Sequence, residues 1–364
     1  MGIFDKDVAK AIPCEVHMIS GSMDSQTSAD VFNVGAFELP NPAGRSGGAC
    51  TSALLKVLHK RALVSKEPYS WVDTLRRMRE ELSHKGYDQV PQLTSSRRIQ
   101  VKKPMYIVPP DCQGKRRAVL IGINYVGQNG ELSGCHNDVR NIKSYLMEKQ
   151  GFAEGNITLL MDDGKHHRPT RKNILSALHR LAVDTTAGDV AFVHYSGRTM
   201  CGAIIDSIVP NPTNGRTPSS SFLLGHGGRV PDNDGDEEDG YDETLIPVDF
   251  RSAGMIRDDE LLRKFVCQMP GGSNLTCLMD CCHSGTVLDL PYRFAADDAD
   301  HKEEMYQDAG FHLDALIGLA VVGGVVAAVA TSADLGAGAD GCCDDCCEGL
   351  IGGMIGGLFG GEGG

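Results

Sequence analysis

From Ala118 to Ile123 the chain reads AVLIGI, an unbroken apolar run. Such a run suits a strand buried on both faces, as in a parallel sheet covered by helices. Comparable segments return at Asn156–Met161, Val190–His194, Thr244–Asp249 and Leu275–Met279. Stretches with helical spacing lie between them. One spans Asp138–Gln150. A second opens at Thr170, with Ile174, Leu178 and Leu181 on one face, and a third spans Asp258–Gln268. Strands alternating with helices predict a three-layer α/β domain with a mostly parallel central sheet. In open sheets of this kind, chemistry gathers outside the carboxyl ends of the strands.

Residues 1–105 read as a smaller α/β region. Cys14–Ser20 (CEVHMIS) is a strand candidate, and Trp71, Leu75, Met78 and Leu82 share one helical face, with Gly86 as a terminator. The stretch Gln100–Lys115 carries Pro104, Pro109 and Pro110, and residues 106–115 are expected to be a linker. The larger α/β region is expected over 116–312 and a Gly- and Cys-rich tail over 313–364. Within that tail, Ala315–Ala330 is apolar but shorter than the roughly 20 residues a spanning helix needs. It is expected to be a flexible or packing segment, with membrane contact as the alternative. The cluster Cys342, Cys343, Cys346 and Cys347 has the chemistry to bind a soft metal or accept acyl chains; low-complexity tail is the expectation.

The formal charge of −13 argues against nucleic-acid binding, which needs a basic surface. Thirteen cysteines without a recognisable export signal point to a reducing compartment, the cytoplasm. In such a compartment a thiol serves as nucleophile, ligand or filler. Asp280-Cys281-Cys282-His283-Ser284-Gly285 directly follows a buried strand, where a cysteine paired with a base becomes a nucleophile. Two histidines compete to be that base. His194 lies inside an apolar strand and reads as structural. His226 lies between glycines about 56 residues before Cys282, close to the spacing of about 50 known for caspase-like dyads.

These motifs resemble those of metacaspases, which carry an uninterrupted HYSGHGG and a later DxCHSG. The chain has both halves of the first, His194–Gly197 and His226–Gly228, and the whole of the second. Further matches are Leu132–Asp138 (LSGCHND), Asp239–Glu243 (DGYDE) and Leu288–Tyr292 (LDLPY). Residues 13–105 resemble the family's small-subunit region through Ile19–Gly21, Gln26–Asp30, Gly48–Thr51 and Gly86–Leu93. That region precedes the catalytic one here, the order of the type III group. The resemblance implies a caspase-like three-layer sandwich and an endopeptidase acting through a thioester acyl-enzyme. Cys282 would be the nucleophile and His226 the general base, with an oxyanion hole near Gly227 and Cys282. It implies protein or peptide substrates cut after Arg or Lys, held by Cys135, Asp138, Ser196 and Asp280; carboxylates can grip a guanidinium with paired charge-assisted bonds. Cys281 is expected to point away and pack. The resemblance also implies activation by Ca²⁺ at Asp242, Asp258, Asp259 and Asp289, a set of hard oxygen donors. The acidic run Asp232–Glu238 reads as a solvated loop, not an EF-hand, because its sixth position is Glu237 and not glycine.

One departure stands out. About 28 residues, Arg198–Gly225, separate the two halves of the histidine motif and split Ser196 from His226. They lack clear periodicity and include Pro210, Pro212 and Pro218. A retained in-frame intron is the expected origin, with a regulatory loop as the alternative. The rival functional reading is therefore a caspase-like scaffold with impaired catalysis.

Overall fold

The computed structural model describes residues 2–21, 30–31, 34–40, 42–200, 229–231, 241–281, 287–295, 304–308, 311, 313, 319–322 and 325–328. In chain order the strands are β1 (Glu15–Ser20), β2 (Asp30–Val31), β3 (Gly47–Gly48), β4 (Gln92–Ser95), β5 (Arg116–Gly122), β6 (Ile157–Met161), β7 (Val190–Ser196) and β8 (Thr199–Met200). They continue as β9 (Arg229–Pro231), β10 (Tyr241–Leu245), β11 (Ile256–Arg257), β12 (Asn274–Asp280), β13 (Tyr292–Ala295), β14 (Tyr306–Gln307), β15 (Leu319–Val322) and β16 (Val325–Ala328). The longer helices are α1 (Ile3–Ala11), α2 (Ala49–Val64), α3 (Trp71–Ser83), α4 (Cys135–Gln150) and α5 (Arg171–Asp184).

One eight-stranded sheet, in the order β14-β13-β4-β1-β12-β7-β5-β6, organises the molecule. Its five strands from β1 to β6 in that order run parallel to one another, while β4, β13 and β14 pair antiparallel along the β1 edge. The N-terminal region thus continues the catalytic region's sheet, with β1 hydrogen-bonded to β12 from Glu15↔Asn274 to Ser20↔Met279.

Alternation along the strands divides the core into two layers. On one face Val119, Ile121, Val193, Tyr195, Leu275, Cys277 and Met279 meet α1 and α5 through Val8, Ile174 and Leu178. On the other, Ala118, Leu120, Phe192 and Leu278 meet α2, α3 and α4 through Leu54, Leu75, Met78, Val139 and Ile142. The result is the expected sandwich of helices, sheet and helices. Helix α2 is buried continuously from Ala49 to Leu55, as a helix wedged between layers must be. Each buried leucine contributes roughly 1.5–3 kcal/mol, against about 0.5–1.5 kcal/mol for a hydrogen bond. Packing therefore holds α2 in place, and polar contacts decide where its first turn points.

Several boundaries differ from the sequence reading. Helix α4 begins at Cys135, three residues before the expected start at Asp138, because Asn124 Oδ1 accepts the Cys135 N–H at 3.0 Å. Strand β10 stops at Leu245 because Pro247 follows and the short helix Phe250–Ala253 begins after Asp249. Helix α2 carries no strong amphipathic stripe and has no side-chain cap, so its burial depends on the layers around it. Among the described residues no helix is long and apolar enough to cross a membrane.

Candidate active site

Three parallel strands end level with one another: Gly122 of β5 lies beside Ser196 of β7, which lies beside Asp280 of β12. Strand alternation turns Ser196 and Asp280 to the face covered by α2 and α4, the face of Phe192 and Leu278. Glycine at 122 admits the neighbouring helix, since a Cβ there would stand 2.7 Å from the Cys135 carbonyl oxygen and from Val139 Cγ2. Helix α4 therefore starts directly on the strand ends. Cys135 and Asp138 are three residues apart on it and share a face.

The four residues expected to hold a basic side chain are all buried: Cys135 3%, Asp138 0%, Ser196 2% and Asp280 4% exposed. The Ser196 hydroxyl donates to Asp138 Oδ2 at 2.8 Å, and the Gly48 N–H donates to the same oxygen at 2.8 Å. Asp280 Oδ2 accepts the Thr51 N–H at 2.7 Å. Gly48 and Thr51 are the N-cap and third residue of α2, so backbone N–H groups at a helix start face two carboxylates, where the helix dipole favours negative charge. Two buried carboxylates thus stand close together across the two regions, and carboxylates are acceptors for charge-assisted hydrogen bonds from a cation.

His194 is fully buried on β7, and its Nε2 meets Thr51 Oγ1 at 3.2 Å. Burial pushes its imidazole down to about 3. It therefore remains neutral and structural, in agreement with the sequence reading. Cys281 is 1% exposed and belongs to the opposite core layer, with Met279, Val287 and Leu288. His226 and Cys282, the expected base and nucleophile, lie outside the described residues.

Family comparisons give this geometry a context. Residues 116–208 and 217–291 match the family model described as metacaspase, peptidase C14 domain, and residues 5–101 match the caspase domain. The chain is 46% identical over 317 residues to Metacaspase III c of Phaeodactylum tricornutum, covering 86% of this chain and 85% of that protein. The chain belongs to the metacaspase family. It resembles the type III group, and it is a cysteine-type peptidase, a hydrolase, with a caspase-like domain. It is also 42% identical over 202 residues to Metacaspase-1 of Coccidioides immitis, 55% of this chain and 38% of that one. Metacaspase-1A of Aspergillus fumigatus matches at 43% over 201 residues, 55% of this chain and 42% of its own length. The chain spans less than half the length of these two fungal metacaspases.

The aspartates expected to bind calcium are placed less compactly. The β10–β11 register pairs Thr244 with Arg257, so the backbones of Asp242 and Glu243 run beside Asp258 and Asp259. Asp258 is buried; its Oδ2 accepts the Glu243 N–H at 2.6 Å and its Oδ1 the Asp259 N–H at 2.8 Å. Asp259 pairs with Arg263 at 2.8 Å. Asp289 sits in the loop after β12 with φ 42°. The side chain of Asp242 is outside the described residues. Among those described, no group of three or more His, Cys, Asp or Glu side chains is arranged to hold a metal ion. The oxygen chemistry of the set suits Ca²⁺, and the register brings the backbone of one expected ligand beside two others.

Sequence reasoning passed over Gly48, Thr51, Tyr125 and Tyr195 as parts of the site. Gly48–Thr51 (GACT) was visible only as a family match, while Tyr125 follows an apolar strand with φ 55°. The Tyr125 hydroxyl donates to the Ile246 carbonyl at 2.8 Å and the Tyr195 hydroxyl to the Arg198 carbonyl at 2.8 Å. Together the two phenols join the exits of β5 and β7 to the segment after β10.

Burial of neutral His194 predicts acid sensitivity. The unfolded chain takes up a proton near the ordinary value of 6.5, whereas the folded one does not until about 3. Stability is therefore complete above the unfolded value and falls as pH drops through that window. Partly buried His59, lowered chiefly by desolvation, adds in the same direction. Thermal unfolding from about pH 7 to about pH 4 should show a steeper loss for wild type than for His194→Gln, by the slope of one proton. Parallel curves for the two proteins would refute this.

Proposed function

We propose that this metacaspase is a calcium-activated endopeptidase that cleaves after Arg or Lys, using His226 and Cys282 as a dyad through a thioester acyl-enzyme. The observation that carries the basic specificity is the buried pair Asp138 and Asp280, with Ser196 and Cys135, at the ends of the central strands. A guanidinium or ammonium entering there meets two carboxylates already shielded from water, where charge-assisted bonds are strongest. Its substrates are peptides or proteins with an exposed basic residue. Thirteen thiols fit a reducing compartment, and we assign it to the cytoplasm.

Calcium is assigned to Asp242, Asp258, Asp259 and Asp289 on their oxygen chemistry and on the β10–β11 register. Bound there, the ion would supply positive charge that relieves repulsion between neighbouring carboxylates. Asp258 also holds the Glu243 backbone and so fixes the exit of β10. Millimolar Ca²⁺ should raise activity on an Arg-terminated fluorogenic peptide, and Asp258→Ala with Asp259→Ala should remove that response and most activity. Calorimetry that detects no Ca²⁺ binding to the intact chain would sink the calcium assignment.

One observation favours a second reading, a caspase-like scaffold of impaired catalysis: about 28 residues stand between Gly197 and His226, and the family match breaks between 208 and 217. The same peptide assay separates the readings, because a scaffold gives no turnover with or without Ca²⁺.

A further inference from the structure

We propose that Thr51, at the start of α2 in the N-terminal region, is a specificity-determining positioning residue that holds Asp280 in place for a basic substrate side chain. This inference rests on the basic specificity proposed above.

Two links join the first turn of α2 to the pocket. Thr51 N–H donates to Asp280 Oδ2 at 2.7 Å, while its hydroxyl is anchored to His194 Nε2 at 3.2 Å. Gly48 N–H reaches Asp138 Oδ2 at 2.8 Å, the oxygen that also accepts the Ser196 hydroxyl. His194 and Ser196 both belong to β7, whose seven residues are all buried. The turn is therefore tied to a rigid strand on one side and to the pocket carboxylates on the other. Gly48 shows how close the fit is. A Cβ at that position would collide with Asp280 Oδ2 and stand 3.0 Å from Asp138 Oδ2, so only glycine lets the backbone approach both carboxylates. Thr51 itself is fully buried beside them.

The chemistry assigns a division of labour. Asp138 and Asp280 touch the substrate cation; Thr51 acts through Asp280. Its N–H sets the direction of one carboxylate oxygen, and the hydroxyl–imidazole bond prevents the turn from rotating away. Neutral His194 keeps this anchor free of competing charge. Loss of the hydroxyl should loosen the carboxylate and weaken recognition of a basic side chain without affecting recognition of a small neutral one.

The test is calorimetric titration of the full chain with product peptides that differ only in ending at Arg or Ala, so that turnover is not required. Wild type should bind the Arg peptide in preference. Thr51→Val, which keeps the volume and removes the hydroxyl, should weaken binding of the Arg peptide about fivefold and leave the Ala peptide unchanged. Thr51→Ser should restore the wild-type preference, since it returns the hydroxyl. With a turnover assay the same loss should appear in KM and not in kcat. If wild type prefers Arg and Thr51→Val binds both peptides as wild type does, this inference is wrong and the basic specificity stands. Equal loss in the Val and Ser variants also overturns it. If wild type binds both peptides equally, the proposed specificity fails and this inference fails with it.

Discussion

Cys282→Ala will abolish peptidase activity, with a loss of roughly three orders of magnitude or more, while Cys281→Ala will retain much of it. The adjacent thiols have different surroundings. Cys281 is 1% exposed in the core layer opposite the pocket, so its substitution removes packing and lowers the melting temperature. Other nearby cysteines are poor substitutes for a nucleophile. Burial, followed by the charges of Asp280, Cys281 and Asp138, pushes the Cys50 thiol well up, and burial does the same to Cys277. Both remain protonated, whereas attack requires a thiolate. Cys282, the proposed nucleophile, stands two residues past Asp280 and just before His283-Ser284-Gly285. Initial rates on an Arg-terminated peptide, with circular dichroism to confirm folding, check the prediction. Equal loss in two folded variants would show that the nucleophile has been misassigned.

Deleting Arg198–Gly225 should raise activity at least about tenfold, which requires only about 1.4 kcal/mol at the transition state, and should raise thermal stability. The structure supplies a reason beyond the restored motif. The position after Gly197 is held by its backbone: its N–H donates to the Tyr125 hydroxyl at 3.2 Å and its carbonyl accepts from the Tyr195 hydroxyl at 2.8 Å. These contacts do not depend on the side chain. In this chain Arg198 occupies the position, with its guanidinium over the Tyr125 ring and bonded to the Gly130 carbonyl. Joining Gly197 to His226 would place the imidazole on the same anchors, at the rigid exit of β7. Catalysis is sensitive to displacements near 1 Å, so fixing the base there should matter. Thr199 and Met200 pair with β10 at Leu245 and Thr244, and the deletion gives up that short ladder. A deleted form that is less active or fails to fold would make the segment a working element. Sequencing the transcript across codons 197–226 tests the intron origin separately.

The sheet was legible because its evidence is local. Apolar runs such as Ala118–Ile123, all but its last residue, and Leu275–Met279 fall in β5 and β12, since a strand covered on both faces has to be apolar throughout. Thr170 capped α5 as expected, its hydroxyl accepting the Asn173 N–H at 3.2 Å. The candidate pocket aspartates Asp138 and Asp280 lie in motifs that resemble the family's. Helix α2 was not legible, because its N-terminal half is buried on all sides and shows no stripe, and its first turn is held by carboxylates 90 and 229 positions away.

The sequence by itself determined the three-layer α/β class and the metacaspase motifs, whose resemblance to the family implies the candidate dyad and the candidate pocket residues. The class and the motifs depend on periodicity and short-range spacing, which a linear chain records. Tertiary structure decided that β1 lies against β12, that the two regions share one sheet, and that Gly48 and Thr51 place their N–H groups on Asp138 and Asp280. Such contacts join residues distant in the chain through backbone groups that every residue carries. No side-chain pattern marks them in advance; they exist only once packing has brought the start of α2 to the ends of β7 and β12.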